Sequence, residues 1–328
     1  MKQEKILVTG GCGYIGSHVC AQLSREGFDV LVLDNLSTGY PDALLHDETL
    51  IRGDFGDRNL LHSLFSKYSI KNIFHFAASI IVDESVKQPL HYYENNSIKF
   101  FNLIEEAQKA NVKRFILSST AAVYGVKSEK RPLHEGDILA PINPYGRSKL
   151  FDEWILEDVC KISDMKYVTL RYFNVAGSGE NIRLGQRGKG THLIKVVCET
   201  ALKKRNELNV FGTDYDTQDG TCIRDYIHVE DLASAHLEAL NYLLKGGESI
   251  TLNCGYKKGY SVREVIKSFE NLTHTKLPIA ESARRSGDVP FLVADNSLIK
   301  KTFNWKYKFD DLPTIIASAW AWEQKNKD

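Results

Sequence analysis

The chain has 328 residues, 43% of them apolar and 26% charged, with 42 basic and 42 acidic side chains. That is enough to bury a large core, and a net formal charge of zero excludes an electrostatic grip on nucleic acid or on an anionic membrane. No apolar run approaches the ~20 residues that span a bilayer. The start, MKQEKILVTGG, carries no leader pattern, and the six cysteines are scattered without a C-x-x-C pair, so a cytoplasmic protein with reduced thiols and no metal site is expected.

The first apolar run, Lys5 to Val8, reads as a buried strand. TGGCGYIGSH (Thr9 to His18) follows it and opens into a helical pattern. Gly10 lets the chain leave the strand abruptly, Gly13 lets a pyrophosphate approach the backbone, and Gly16 lets helix and strand pack closely. The helix start, with Tyr14 and Ile15, offers free N–H groups to the phosphates. The next apolar run, Val30 to Leu33, ends in Asp34, at the distance where an acid accepts from the adenosine ribose hydroxyls. A carboxylate there repels a 2′-phosphate, and Asn35, Leu36 and Ser37 supply no arginine to pair with one, which favours NAD over NADP. Cys12 lies inside the turn with no base beside it and reads as a small filler.

Further strand signals fall at 49–52, 72–77, 114–118 and 167–171, and helical patterns at 13–26, 59–67, 90–110 and 144–162. Apolar strands alternating with helices predict an α/β fold, a doubly wound parallel (Rossmann) sheet of about seven strands with ligands at the strands' carboxyl ends. Informative residues stand just after those strands. Asp54 and Phe55 suit an adenine, the acid for its amine and the ring for its face; a helix cap explains Asp54 equally well. Phe76, Ala77 and Ala78 keep the chain slim beside the cofactor's second ribose. Ser118, Ser119 and Thr120 follow the fifth strand.

PYGRSK places Tyr145 and Lys149 four residues apart at a predicted helix start, on one face. A tyrosine is mostly protonated at neutral pH; a lysine one turn away and an oxidised nicotinamide ring stabilise its phenolate and make it a general base. An aromatic core residue followed by a solvated lysine is the alternative reading of this pair taken alone.

The order of these motifs resembles the extended short-chain dehydrogenase/reductase family and, within it, the UDP-hexose 4-epimerases. The likeness runs through LDNLS, GDF, HFAAS, SSTAAVYG, PYGRSK, RYFNVAG, FGTDYDTQDGTCIRDYIHVEDLA and RRSGD, and covers nearly the whole chain. It implies reversible inversion at C4 of a UDP-hexose through a transient 4-keto sugar, with NAD ending unchanged. Tyr145 is then the base, Lys149 its partner, and Thr120 the hydroxyl that meets the C4 oxygen. Gly10, Gly13, Tyr14, Ile15, Gly16, Asp34, Asn35, Ser37, Asp54, Phe55, Phe76, Ala77, Ala78, Asn95, Ser118, Tyr145, Lys149 and Tyr172 line NAD. Asn174, His192, Leu193, Phe211, Arg224, Tyr226, Arg285, Asp288 and Leu292 join Thr120 and Tyr145 around the UDP-sugar. Two arginines suit a diphosphate, although surface charge explains either one alone.

Two departures bear on this reading. Ile80 stands where some members carry a lysine, which removes one cofactor contact. Leu292 stands where glucose-restricted members carry a tyrosine, which widens the pocket near C2 and implies that UDP-GlcNAc and UDP-GalNAc are accepted beside UDP-Glc and UDP-Gal. Ala121 and Ala122 follow Thr120 where 4,6-dehydratases place an acid–base pair, so elimination is disfavoured. A nucleotide-sugar reductase or dehydratase, and a non-catalytic dinucleotide sensor, are the competing readings. The expected architecture is an NAD domain over 1–171, rejoined by about 226–245, with 172–328 forming mainly the substrate lobe. Residues 177–190 read as a mobile loop over the sugar. The two long helices suggest a homodimer by resemblance; the charges on the first, Lys99, Glu105, Glu106 and Lys109, equally suit a solvated face.

Overall fold

The computed structural model describes residues 4–127, 129–179, 181–188, 190–285 and 288–326. Its strands are β1 (Lys5–Thr9), β2 (Asp29–Asp34), β3 (Thr49–Arg52), β4 (Ile70–His75), β5 (Arg114–Thr120), β6 (Lys166–Tyr172), β7 (Asn174–Ala176), β8 (Leu208–Phe211), β9 (Ile223–His228), β10 (Ile250–Cys254), β11 (Gly259–Ser261), β12 (Ile279–Ser282) and β13 (Phe291–Leu292). Its helices are α1 (Tyr14–Arg25), α2 (Arg58–Lys67), α3 (Val82–Lys87), α4 (Pro89–Tyr92), α5 (Lys99–Lys109), α6 (Pro144–Lys161), α7 (Leu193–Ala201), α8 (Val229–Leu244), α9 (Val262–Thr273), α10 (Ser297–Thr302) and α11 (Leu312–Lys325).

Among the described residues, seven strands form one sheet in the order β10-β6-β5-β4-β1-β2-β3, every pair parallel. Its two faces are apolar because side chains alternate along each strand. Ile6, Val8, Val32, Phe74 and Ile116 point to one face, where α1 and α8 pack on each other. Leu7, Leu31, Ile73, Phe115 and Leu117 point to the other, with Leu61 of α2, Leu103 of α5 and Leu156 of α6. This is the doubly wound fold expected from the alternation. β10 takes the edge of the sheet beside β6 although it falls within 172–328. It follows α8, whose return over the sheet is a crossover of the kind that joins parallel strands.

The long helix expected over 90–110 is interrupted. Between α4 and α5 the chain makes a π-helical stretch, Tyr93–Ile98, carrying Asn95 and Asn96. The widened turn lets Asn96 accept from the Ser79 N–H at 2.8 Å and donate to the Ser79 carbonyl and Ser148 Oγ, both at 3.0 Å. The segment after β4 is thereby tied to α6.

Beyond the large sheet, β9 organises the remainder. Its first half pairs with β11 and β13, and its second half with β7. β8 and β12 form a separate parallel pair. The segment expected to be a mobile loop over 177–190 is anchored at its described residues. Leu184 is buried against Ala21 and Ala43, and Arg187 pairs with Asp42 and lies over the rings of Tyr40 and Trp322. Glu180 and Lys189 of that segment lie outside the described residues.

Candidate active site

The carboxyl ends of β1, β2 and β4 meet at the glycine turn. Gly10 has φ +73°, and a Cβ there would sit 2.6 Å from the Ala77 nitrogen; Phe76 and Ala77 both donate to the Thr9 carbonyl, which fixes that approach. A Cβ on Gly16 would lie 2.2 Å from the Gly10 carbonyl oxygen, so α1 can start this close only with glycine. A Cβ on Gly13 would meet only the Gly10 oxygen, at 3.2 Å, which leaves that side of the turn open. Tyr14 donates to the Gly177 carbonyl at 2.6 Å, and Ile15 packs on the core.

Asp34 is buried and held in place by two backbone donors, Cys12 N at 3.0 Å and Leu36 N at 2.8 Å. Its remaining lone pairs suit ribose hydroxyls. Asn35 and Ser37 are exposed beyond it, with Ser37 N donating to Asn35 Oδ1. Cys12 is buried, and burial followed by the Asp34 charge pushes its thiol up to about 12, so it is no nucleophile.

Asp54 does not cap α2; Asp57 does, accepting from the N–H groups of Asn59 and Leu60. Asp54 accepts instead from Gly56 N and from Lys99 Nζ at 2.6 Å. Burial works against its ionisation, but these bonds outweigh it and hold the carboxyl below its ordinary range. Lys99 also reaches Asn95 Oδ1 at 3.0 Å. The Phe55 ring is buried in the second core, in a T-shaped contact with His75 at 5.0 Å.

At the ends of β5 and β6 stand the groups suited to chemistry. Thr120 lies opposite Tyr172. Ser118 Oγ meets His236 Nε2 of α8 at 3.0 Å, and the Phe76 ring packs 4.9 Å from the same histidine. α6 begins at Pro144, capped by the Asn143 side chain, which accepts from Gly146 N at 2.8 Å. That start brings Tyr145 to the end of β5, where the Thr120 hydroxyl acts on its phenol. Burial pushes the Tyr145 phenol above its ordinary value, the Thr120 bond pulls it back, and the charge of Asp152 pushes it up again. Lys149 is buried and donates to Asp152 Oδ2 at 3.1 Å.

The residues assigned to a second ligand come from distant stretches. β9 brings Arg224 opposite Leu292 of β13 and Tyr226 opposite Asn174 of β7. Tyr14, Asn174, Gly177, Gln186, His192 and Tyr226 share one small cavity, which joins the glycine turn to this sheet. His192 stands immediately before α7 and its Nδ1 meets the Gln186 side chain at 3.0 Å, while Leu193 packs on the core. Phe211 ends β8 with the Arg285 guanidinium 3.8 Å above its ring, and Arg224 pairs with Asp288 at 3.2 Å. Ser286 and Gly287 of RRSGD lie outside the described residues. Leu292 is half-buried against the cluster of Ala121, Tyr124 and Phe173.

The sequence reading missed Asp152, although its position three residues after Lys149 in a helix was a signal. It also missed a buried network at the catalytic strand. Arg171 donates to Glu153 Oε1 at 3.0 Å and to the Tyr124 hydroxyl at 3.1 Å, and Glu153 also accepts from Ser119. Lys99, by sequence a charge on either a dimer helix or a solvated face, is the partner of Asp54.

The residues fit a dinucleotide: an open glycine turn at a helix start, a carboxylate fixed by backbone donors, and slim strand ends. The NAD dependent epimerase/dehydratase family model matches residues 6–255. The UDP-glucose 4-epimerase of Azospirillum brasilense is 46% identical over 98% of this chain and 92% of that protein. The crystal structure of UDP-glucose 4-epimerase from Brucella ovis in complex with NAD superposes with a TM-score of 0.93 at 41% identity, covering 97% of this chain and 98% of that one. The UDP-Glc/GlcNAc 4-epimerase from Campylobacter jejuni superposes with a TM-score of 0.86 at 44% identity, covering 98% of this chain and 100% of that one.

Proposed function

The chain belongs to the NAD-dependent epimerase/dehydratase family, and from that premise we propose that it inverts C4 of UDP-hexoses: UDP-Glc and UDP-Gal, and with them UDP-GlcNAc and UDP-GalNAc. The observation that carries this reading is the placement of Tyr145, at the start of α6, beside Thr120, the last residue of β5, with two alanines following Thr120. Tyr145 takes the proton of the C4 hydroxyl, and Thr120 orients that oxygen. A bound NAD would supply the hydride exchange with C4 that this oxidation and its reversal need. Tyr145 then gives the proton back to the C4 oxygen after the 4-keto sugar has turned its other face to the site. Ala121 and Ala122 have no group to remove a proton from C5 or to protonate a leaving C6 oxygen, which sets elimination aside.

Asp34, Asp54, Asn95 and Lys149 are assigned to NAD, and Arg224, Arg285, Phe211 and Asp288 to the UDP. The diphosphate is to replace Asp288 as the partner of Arg224, leaving that carboxylate for the ribose. Tight binding of UDP with loose binding of the hexose is to let the keto sugar rotate. Leu292 is assigned to the space around C2.

A homodimer is also proposed. Leu90, Ile98, Phe101, Phe151 and Trp154 are all at least half exposed on α4, α5, α6 and the π-helical stretch, an apolar surface that association would cover. Among the described residues no helix is long and apolar enough to cross a membrane. The six cysteines are unpaired, in keeping with a cytoplasmic setting.

The test is incubation of the purified protein, without added NAD, with UDP-Glc or UDP-GlcNAc, the products resolved by anomeric-proton NMR. Both C4 epimers are expected from each substrate. Tyr145→Phe should lower kcat by about 10²–10⁴-fold with an unchanged fold, and full activity in that variant would sink the mechanism. Leu292→Tyr should suppress N-acetyl turnover alone; intact turnover would remove the assignment of that residue.

A further inference from the structure

Tyr145 and Lys149 leave one charge beside them unexplained. Asp152 lies three residues beyond Lys149 on α6 and is wholly buried. Its Oδ2 accepts from Lys149 Nζ at 3.1 Å, its Oδ1 has no partner, and Lys149 is itself only 3% exposed. A buried carboxylate costs several kcal/mol in desolvation, and removing one member of such a pair leaves the other uncompensated. An apolar residue would fill this helix position without that cost, so the stability of α6 does not explain the choice.

We propose that Asp152 is a positioning residue that holds Lys149 and offsets its charge, and so sets the pH at which Tyr145 changes from phenol to base. The inference rests on the proposed role of Tyr145. An isolated lysine cation one turn away would stabilise the phenolate strongly in this dry site. Paired with Asp152, it presents a dipole rather than a net charge. The setting suits a reaction in which one group must first take a proton and then return it. A base whose pKa is driven far down would hold the proton too weakly to be a good acid in the second half; the best compromise lies near the working pH.

The neighbouring groups agree with this. Burial pushes the Asp152 carboxyl up to about 7, with Lys149 and then the Ser97 hydroxyl pulling the other way. Asp152 raises Tyr145 in turn. Glu153, next in the chain, is neutralised by Arg171 of β6 and bonded by Ser119 of β5. His75 of β4 is kept neutral by burial and by the charge of Lys149. Among the described residues, Tyr172 of β6, and Tyr92 of α4 with Glu84 of α3 on its hydroxyl, also lie within reach of the Tyr145 charge. None of these neutralises Lys149, which leaves Asp152 as its counter-ion.

The experiment compares the NAD-saturated full-length enzyme with its Asp152→Asn variant, which keeps shape and removes charge. Two quantities are followed against pH: kcat for UDP-Glc, and phenolate absorbance after subtraction of the Tyr145→Phe spectrum. Both should move to lower pH by about half a unit or more in Asp152→Asn. In a Lys149→Met background burial leaves the unpaired Asp152 carboxyl protonated and uncharged, so Asp152→Asn should produce no further move in the phenolate titration. An unmoved titration in folded Asp152→Asn overturns the proposal, as does an equal move without Lys149. Asp152→Ser, judged by the same two readouts, serves if the amide variant fails to fold. Full activity of Tyr145→Phe would instead overturn the role of the base itself, so the two failures are distinguishable.

Discussion

The two halves of the site solve the problem of unpaired polar groups in opposite ways. On the side proposed for the cofactor, the glycine turn and Asp34 are held by backbone and by a neighbouring strand end. Asp34 sits on two N–H donors, and Gly10 sits against Ala77. On the side proposed for the substrate, side chains hold one another: Arg224 pairs with Asp288, and Arg285 lies on Phe211. The first half is built into the fold, whereas the second is a set of side-chain contacts that a diphosphate and a base can replace. Change on the first side should therefore cost structure, and change on the second should cost affinity.

The largest expected effect is on the cofactor side. Gly10→Val puts a branched side chain at φ +73° and its Cβ 2.6 Å from the Ala77 nitrogen. Both β1 and β4 are central strands, so neither can retreat. A loss of roughly 3 kcal/mol or more in unfolding free energy is expected, together with loss of NAD from the purified protein. Denaturant titration and the absorbance of released nucleotide read the two. A variant with wild-type stability would break the contrast at its strongest point.

Arg224→Ala tests the other side. The substitution removes a charge-assisted bond worth about 1.5–3 kcal/mol, so KM for UDP-Glc should rise by roughly ten- to a hundredfold with little change in melting temperature. Asp288 is partly exposed and can be solvated after the loss. A large fall in stability would show that Arg224 is built into the fold after all, and that the two halves differ less than their contacts indicate.

The same contrast explains what could be read in advance. The glycine turn, Asp34 and the Tyr145–Lys149 pair each lie within one or two adjacent elements, so spacing along the chain maps directly onto space. The residues proposed for the substrate are different. Asn174, Arg224, Tyr226 and Leu292 become neighbours only because β9 pairs with β7 and β13, and no local period announces those pairings; the resemblance alone brought them together. β10 escaped for the same reason, since its place beside β6 is a long-range pairing. The π-helical turn escaped for another: anchoring of Ser79 overrode local preference. Residues 177–190 look free by composition, yet Leu184 and Arg187 within them are held by packing and by an ion pair.

The smallest effect sharpens the contrast through pH. His18 is fully buried on α1, the helix that the glycine turn begins, and its Nδ1 lies 2.7 Å from the Tyr14 carbonyl. That carbonyl can only accept, so the ring donates from Nδ1 and Nε2 carries no proton. Burial first, and the charge of Arg25 besides, lower its pKa to about 4, although its contacts with backbone carbonyls of Tyr14 and Leu184 oppose the shift. A histidine whose folded pKa is depressed binds its proton more readily in the unfolded chain. Its contribution is present above the unfolded value of about 6.5 and is lost as pH falls towards 4. At pH ~5.5 the loss should be on the order of 1 kcal/mol. His18→Asn keeps a side-chain N–H donor without the titration, so its melting temperature should fall less steeply than that of the parent between pH ~6.5 and ~4.5. An identical slope would move the acid-sensitive point to His228 and His236, whose pKa values burial also lowers and which belong to the end of β9 and to α8. A shallower slope, with UDP affinity unchanged over the same range, would place the acid-labile step in the half of the site that the fold itself builds.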